Sequence, residues 1–76
     1  MEIRYDKSVD ALYIKLKDAA FAKNKKINDS TILDLAEDGS IIGIEILDAS
    51  KTIPHKSLSQ IKVKKQNSKK ELAIEI

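Results

Sequence analysis

The chain has 76 residues, 42% hydrophobic and 34% charged, with 14 Lys or Arg against 12 Asp or Glu. These values describe a single globular domain with a thin core, because a chain of this size buries only about 60% of the surface that its unfolded form exposes. With no cysteine, disulfide staples, thiolate metal sites and cysteine nucleophiles are excluded, which suits a reducing cytoplasm.

The N-terminal stretch MEIRYDKSVD is charged at positions 2, 4, 6 and 7 and has no apolar centre, so no secretory leader is expected. No apolar run approaches the roughly 20 residues needed to span a bilayer. A cytoplasmic location and no membrane partner follow as expectations. Charge is uneven along the chain. Residues 1–50 hold seven basic and ten acidic side chains (−3), residues 51–70 hold seven Lys and no acid (+7), and residues 71–76 add two Glu (−2), which sums to +2.

Period-two alternation dominates, the pattern of half-buried strands. Ile3 and Tyr5 begin it, and Asp6-Lys7-Ser8 supplies a polar turn. The next run, residues 11–17, puts Leu12, Ile14 and Leu16 on one face and Tyr13, Lys15 and Lys17 on the other. Residues 18–27, DAAFAKNKKI, fit either a short helix or a ragged strand anchored by Phe21. From Thr31 to Ala49 the alternation returns around Asp38-Gly39, a turn dipeptide in which glycine accepts positive φ. A two-residue loop there pairs Leu35 with Ile42, Leu33 with Ile44 and Thr31 with Ile46 on one face. The proposed core is therefore Leu33, Leu35, Ile42, Ile44 and Ile46. The other face pairs Ala36 with Ile41, Asp34 with Gly43, Ile32 with Glu45 and Ser30 with Leu47.

Between residues 50 and 60, Pro54 at a first helical position starts one or two helical turns, with Ser57-Leu58-Ser59-Gln60 as a candidate capping box. A C-terminal hairpin at Asn67-Ser68 pairs Val63 with Leu72, Ile61 with Ile74 and Lys64 with Glu71. The fold expected is mainly β, with α+β as the alternative: a small antiparallel meander of about five or six strands with at most one or two short helices. Residues 1–76 form one domain, with a β core over 1–50 and a lysine-rich connection and hairpin over 51–76.

No constellation of residues names a reaction. The single histidine, His55, has no cysteine or second histidine to join it, and reads as a surface residue. Asp6, Asp10 and Asp38 read as turn residues whose carboxylates bond nearby amides. Asp34 and Glu45 share a sheet face, but two carboxylates alone are a poor cation cage. No nucleophile elbow and no glycine-rich phosphate loop occurs. Gly43, inside a strand, marks a bulge or a close backbone contact. The expectation is a non-enzyme with no catalytic residue, no cofactor and no metal.

Two binding readings follow. Ile32, Ala36, Ile41 and Leu47 make the reverse face of the hairpin too apolar for water and mark a candidate interaction face, whose partner is the chain itself or a small protein. The alternative is a nucleic-acid contact through the Lys51–Lys70 window, namely Lys56, Lys62, Lys64, Lys65, Lys69 and Lys70 with Lys51. This ranks second, since the window has no Arg for base edges and no aromatic for stacking. There Lys62 and Lys64 alternate with Ile61 and Val63, as on the wet face of a strand.

The blocks YDKSVDALYI at 5–14 and ILDLAEDGSIIGIEILDAS at 32–50 resemble a family of small uncharacterised prokaryotic proteins catalogued as a domain of unknown function. The likeness covers residues 1–50. The tail from Lys51 carries no family motif, and Ala36 stands where the family more often has an acid. The resemblance implies a compact antiparallel β fold in a prokaryotic cytoplasm. It supplies no catalytic residues, and it points to an antitoxin-like or similar interaction role.

Overall fold

A computed structural model describes residues 1–65 of the chain. Five strands, β1 (Glu2–Asp6), β2 (Ala11–Lys15), β3 (Phe21–Asn28), β4 (Thr31–Ala36) and β5 (Ile41–Ile46), form one sheet. Two one-turn helices, α1 (Ala49–Thr52) and α2 (His55–Leu58), follow. Every pairing is antiparallel, so the protein is mainly β as expected. The order β1-β2-β5-β4-β3 places two hairpin-connected units side by side, β2 meeting β5 rather than β3. The ambiguous stretch before Thr31 is the ragged strand: β3 pairs with β4 but shifts register twice, between Phe21 and Lys23 and between Lys26 and Asn28.

One face of the sheet is apolar. Tyr5, Leu12, Ile46 and Thr31 align across it, and Ile3, Ile14, Ile44 and Leu33 form the next row. Of the proposed core, Leu35 and Ile42 are buried, while Leu33, Ile44 and Ile46 are only half-buried. Leu12 and Ala49 complete the buried hydrophobic set among the described residues. Ile53, Leu58 and Ile61 approach Ile3, Leu12 and Ile14 around a residual cavity of about 100 Å³, yet Ile3 and Ile14 stay half-buried, as Leu33, Ile44 and Ile46 do, so the short helices cover the apolar face only in part.

The hairpin register departs from expectation in one place. Thr31–Ile46, Leu33–Ile44 and Asp34–Gly43 pair as expected, but Leu35 lies opposite Ile41, not Ile42, and Ile42 is the extra residue of a bulge. The cause is the turn. Gly39 N donates to Ala36 O at 2.9 Å and Ala36 N to Ser40 O at 2.9 Å, so the loop has three residues and Gly39, with φ of 86°, ends it. Ala36 therefore faces Ser40 rather than Ile41. The bulge restores the register by adding one residue to β5, and the carbonyl of Ile42 accepts Leu16 N at 2.7 Å.

Three turns share one device. Ser8, Ser30 and Ser40 each donate backbone N–H and hydroxyl to the side-chain oxygen of Asp6, Asn28 and Asp38, two residues earlier. Such Asx turns fix a loop through a side-chain acceptor. Hydrogen bonds from Ser8, Ser40 and their amides hold the Asp6 and Asp38 carboxyls below the usual carboxylate range.

The helical segment differs in detail from the sequence reading. Pro54 precedes α2 as its N-cap residue with ψ of 146° instead of occupying the first helical turn. Ser57 lies inside the helix, so the capping box does not form; Ser59 Oγ instead donates to Lys56 O at 3.0 Å. Residues 61–65 carry no strand, and the remainder of the expected C-terminal hairpin lies outside the described residues.

Candidate functional site

Two polar constructions organise the sheet. The first pins the β1–β2 loop to α1. Asp10 sits in the left-handed region with φ of 54°, a conformation that Asp tolerates better than most residues. Its carboxylate accepts the Tyr5 hydroxyl at 2.6 Å, the Ser50 hydroxyl at 2.7 Å and the Ser50 N–H at 3.0 Å. Its carbonyl accepts Ala49 N at 2.9 Å. The Tyr5 and Ser50 bonds keep the Asp10 carboxyl low, and the same Asp10 bond pushes the Tyr5 phenol up. Asp10 thus does more than end a loop: it locks the chain leaving β5 against the start of β2.

The second construction crosses the polar face and takes one residue from every strand. The Arg4 guanidinium of β1 lies 5.4 Å from the ring centroid of Tyr13 on β2. Tyr13 reaches over Gly43 of β5, and its hydroxyl donates to Asp34 Oδ2 on β4 at 3.0 Å. Asn24 Nδ2 of β3 donates to the other Asp34 oxygen at 2.7 Å. Burial, then the Asp34 bond, push the Tyr13 phenol up. Gly43 is what lets the ring pass. A Cβ there would stand 2.6 Å from Tyr13 Cζ, nearer still to the hydroxyl, and 3.0 Å from Ile14 O. Both sequence readings of Gly43 apply, since the bulge precedes it and the close contact covers it.

Asp34 and Glu45 do share this face, but Asp34 spends its oxygens on Tyr13 and Asn24. Among the described residues, no three of His, Cys, Asp and Glu come together around one point that a metal ion could occupy. His55 is exposed at the start of α2 and lines a shallow depression with Tyr5, Lys7, Lys56, Leu58 and Ser59.

The candidate interaction residues divide. Ile32 and Ala36 lie on the polar face beside Asp34, half-buried. Leu47, half-buried, continues past β5, where its N–H donates to Ser30 O at 2.8 Å. Ile41 is 40% exposed and pairs with Leu35 beside the bulge. Tyr13, Gly43 and Asp34 separate the two ends, so the four do not form one patch. Of the candidate nucleic-acid lysines, Lys56, Lys62, Lys64 and Lys65 are exposed, as is Lys51. Ile61 and Val63 are 56% and 83% exposed, so alternation there separates no wet side from a dry one. Lys69 and Lys70 lie outside the described residues.

Sequence reasoning missed the pairing of Tyr13 with Asp34, 21 residues apart. The signal was present in two parts: an aromatic on the wet side of β2 and a glycine within β5. What joins them is the β2–β5 contact, which no local pattern specifies.

Among the described residues no helix is long and apolar enough to cross a membrane. No curated protein and no solved structure matches the chain at a significant level. The model of a family described as protein of unknown function (DUF2283) matches residues 2–50, the five strands and the Asp10–Ser50 pin included, and the chain belongs to that family.

Proposed function

We propose that this protein is a non-enzymatic, cytoplasmic interaction module that associates with a second copy of itself through the half-buried part of its apolar sheet face. One observation carries the reading. A sheet with an apolar face needs a second layer, and among the described residues that layer is two helices of four residues each. They leave Leu33, Ile44 and Ile46 half-buried and Leu16 38% exposed. Among the described residues no large side chain is fully buried. Small domains with thin cores often complete themselves by association, and each 40 Å² of apolar surface covered contributes roughly 1 kcal/mol. The antitoxin-like role implied by the resemblance is the same surface with a small protein in place of the second copy.

Light scattering behind gel filtration tests it. The expected mass is twice 8.5 kDa, falling to the single-chain value in Leu33→Glu and Ile44→Glu, with the Leu33→Met control remaining paired. A wild-type protein that stays monomeric at millimolar concentration, with unchanged methyl spectra on dilution, would refute self-association.

A further inference from the structure

The outermost strand has properties that neither the core nor the apolar face requires. β3 is the longest strand, with eight residues, it ends the sheet, and every residue in it is exposed. Among the described residues its only strand partner is β4, and none of them pairs with the backbone groups of its outer edge. Its two register shifts flank a regular stretch, Lys23 to Lys26. That stretch carries three lysines and no acid, with Phe21 and Ile27 at its two ends, 57% and 51% exposed. Lys26 pairs with Asp29 in the following turn at 3.4 Å. Among the described residues neither Lys23 nor Lys25 is in an ion pair.

Charge selects the occupant. Two copies of β3 placed edge to edge would set lysine against lysine, which is how exposed edges resist self-pairing. The same lysines favour an opposite charge. A free strand edge supplies backbone donors and acceptors in register, which match a peptide and not a phosphodiester. Exposed apolar side chains at both ends also suit a polypeptide. Lys23 and Lys25 pair with Leu35 and Leu33, so they share a face, and a partner strand meets them with acids at alternate positions.

We propose that the β3 edge receives an extended acidic segment of another protein, added to the sheet as a sixth strand by β-augmentation. Lys23 and Lys25 meet its carboxylates, and Phe21 and Ile27 hold its apolar ends. Lys23 and Lys25 adjoin Leu35 and Leu33 on the face proposed for self-association, but strand addition uses the outer backbone of β3 and self-association the side chains of Leu33, Ile44 and Ile46, so the methylated peptides below report on the first alone.

The test uses the full chain and a labelled, acetylated hexapeptide of alternating Glu and Val, followed by fluorescence anisotropy at low salt. Two further peptides carry N-methyl groups on the odd or on the even residues. Because a strand pairs through alternate residues, one methylated peptide should bind like the parent and the other should lose binding by about tenfold or more. The pair Lys23→Gln and Lys25→Gln should weaken binding by about tenfold, and reversal to Glu further. Thermal melts separate these effects from unfolding, and amide shifts of β3 should move on titration. Equal binding of both methylated peptides would overturn strand addition. So would no peptide binding alongside lysine-dependent binding of a short DNA duplex, which would make this edge a phosphate surface.

Discussion

Gly43→Ala is the sharpest probe of the polar face. Gly43 does not have a positive φ, so its backbone does not demand glycine, and alanine in a strand would ordinarily gain about 0.5–1 kcal/mol. Steric overlap opposes this, since the new Cβ would lie 2.6 Å from Tyr13 Cζ and 3.0 Å from Ile14 O. Overpacking of this kind costs about 1–3 kcal/mol. Displacing the Tyr13 ring also breaks its 3.0 Å bond to Asp34, a loss of about 1 kcal/mol. The net expectation is destabilisation of about 1–3 kcal/mol, and each kcal/mol lowers Tm by about 4–8 °C in a domain of this size. Urea and thermal unfolding followed by circular dichroism measure it. The decisive comparison is a double-mutant cycle with Tyr13→Ala. With the ring gone, Gly43→Ala should be neutral or slightly stabilising, a coupling of about 1.5 kcal/mol or more. An equal loss in both backgrounds would mean that the Ile14 carbonyl or the bulge selects glycine, and that the five-strand polar row is incidental.

Other perturbations have equally definite outcomes. In Gly39→Ala the added Cβ meets nothing within 4 Å, so the φ of 86° alone sets a loss of about 1 kcal/mol; Gly39→Asn should lose less, by equilibrium unfolding. Asp10→Gly keeps the left-handed backbone and removes the carboxylate, so it should speed amide exchange at Ser50 and return the Tyr5 phenol, read by ultraviolet titration, toward its ordinary value. Asp10→Ala should do the same and lose more stability, because it strains the backbone as well. The Asp6, Asp10 and Asp38 carboxyls are held low by hydrogen bonds from Ser8, Tyr5 and Ser40. Their contribution is therefore complete above the unfolded pKa near about 4 and is lost as pH falls through the folded values. The Tyr5 and Tyr13 phenols are raised, by the Asp10 bond and by burial respectively, so their contribution holds below about pH 10 and is lost as pH rises through the folded values. Stability profiles flat from pH 5 down to pH 2 would contradict the carboxylate assignments.

Much of the sheet was legible because its alternation is strict and its turns carry Asp, Asn, Ser and Gly where turn chemistry wants them. The β4–β5 pairing shows how far that reading goes. A two-residue loop and an unbroken ladder give the same partners for Leu33 and Ile44 as a three-residue loop and a one-residue bulge. Alternation sees the sum of the two and not the parts, so only Leu35, Ile41 and Ala36 reveal the difference. In β3 the periodic signal fails for a related reason. Two register shifts in eight residues and exposure on both faces remove any need for apolar residues to alternate. Ala49, fully buried, could not be found at all, because its burial depends on where α1 folds back and not on its neighbours in sequence.

The candidate sites were harder to read for a physical reason. A catalytic centre concentrates titratable groups, and such concentration leaves a local trace in sequence. Here four aspartates are engaged in holding the fold: Asp10 on Tyr5 and Ser50, Asp34 on Tyr13 and Asn24, Asp6 and Asp38 on their own turns. What is left over after that accounting is surface: a partly covered apolar face and a lysine-rich edge. Surfaces of this kind are products of topology. Lys23, Lys25 and Lys26 would be ordinary wet lysines on an interior strand. They become a selective edge only because β2 crosses to β5 and leaves β3 last in the sheet. The same crossing brings Tyr13 over Gly43. One non-sequential strand neighbour therefore creates both the polar row that ties all five strands together and the edge on which a partner strand would be added, so loosening the row by Gly43→Ala should weaken peptide capture at β3 even though Gly43 lies two strands away.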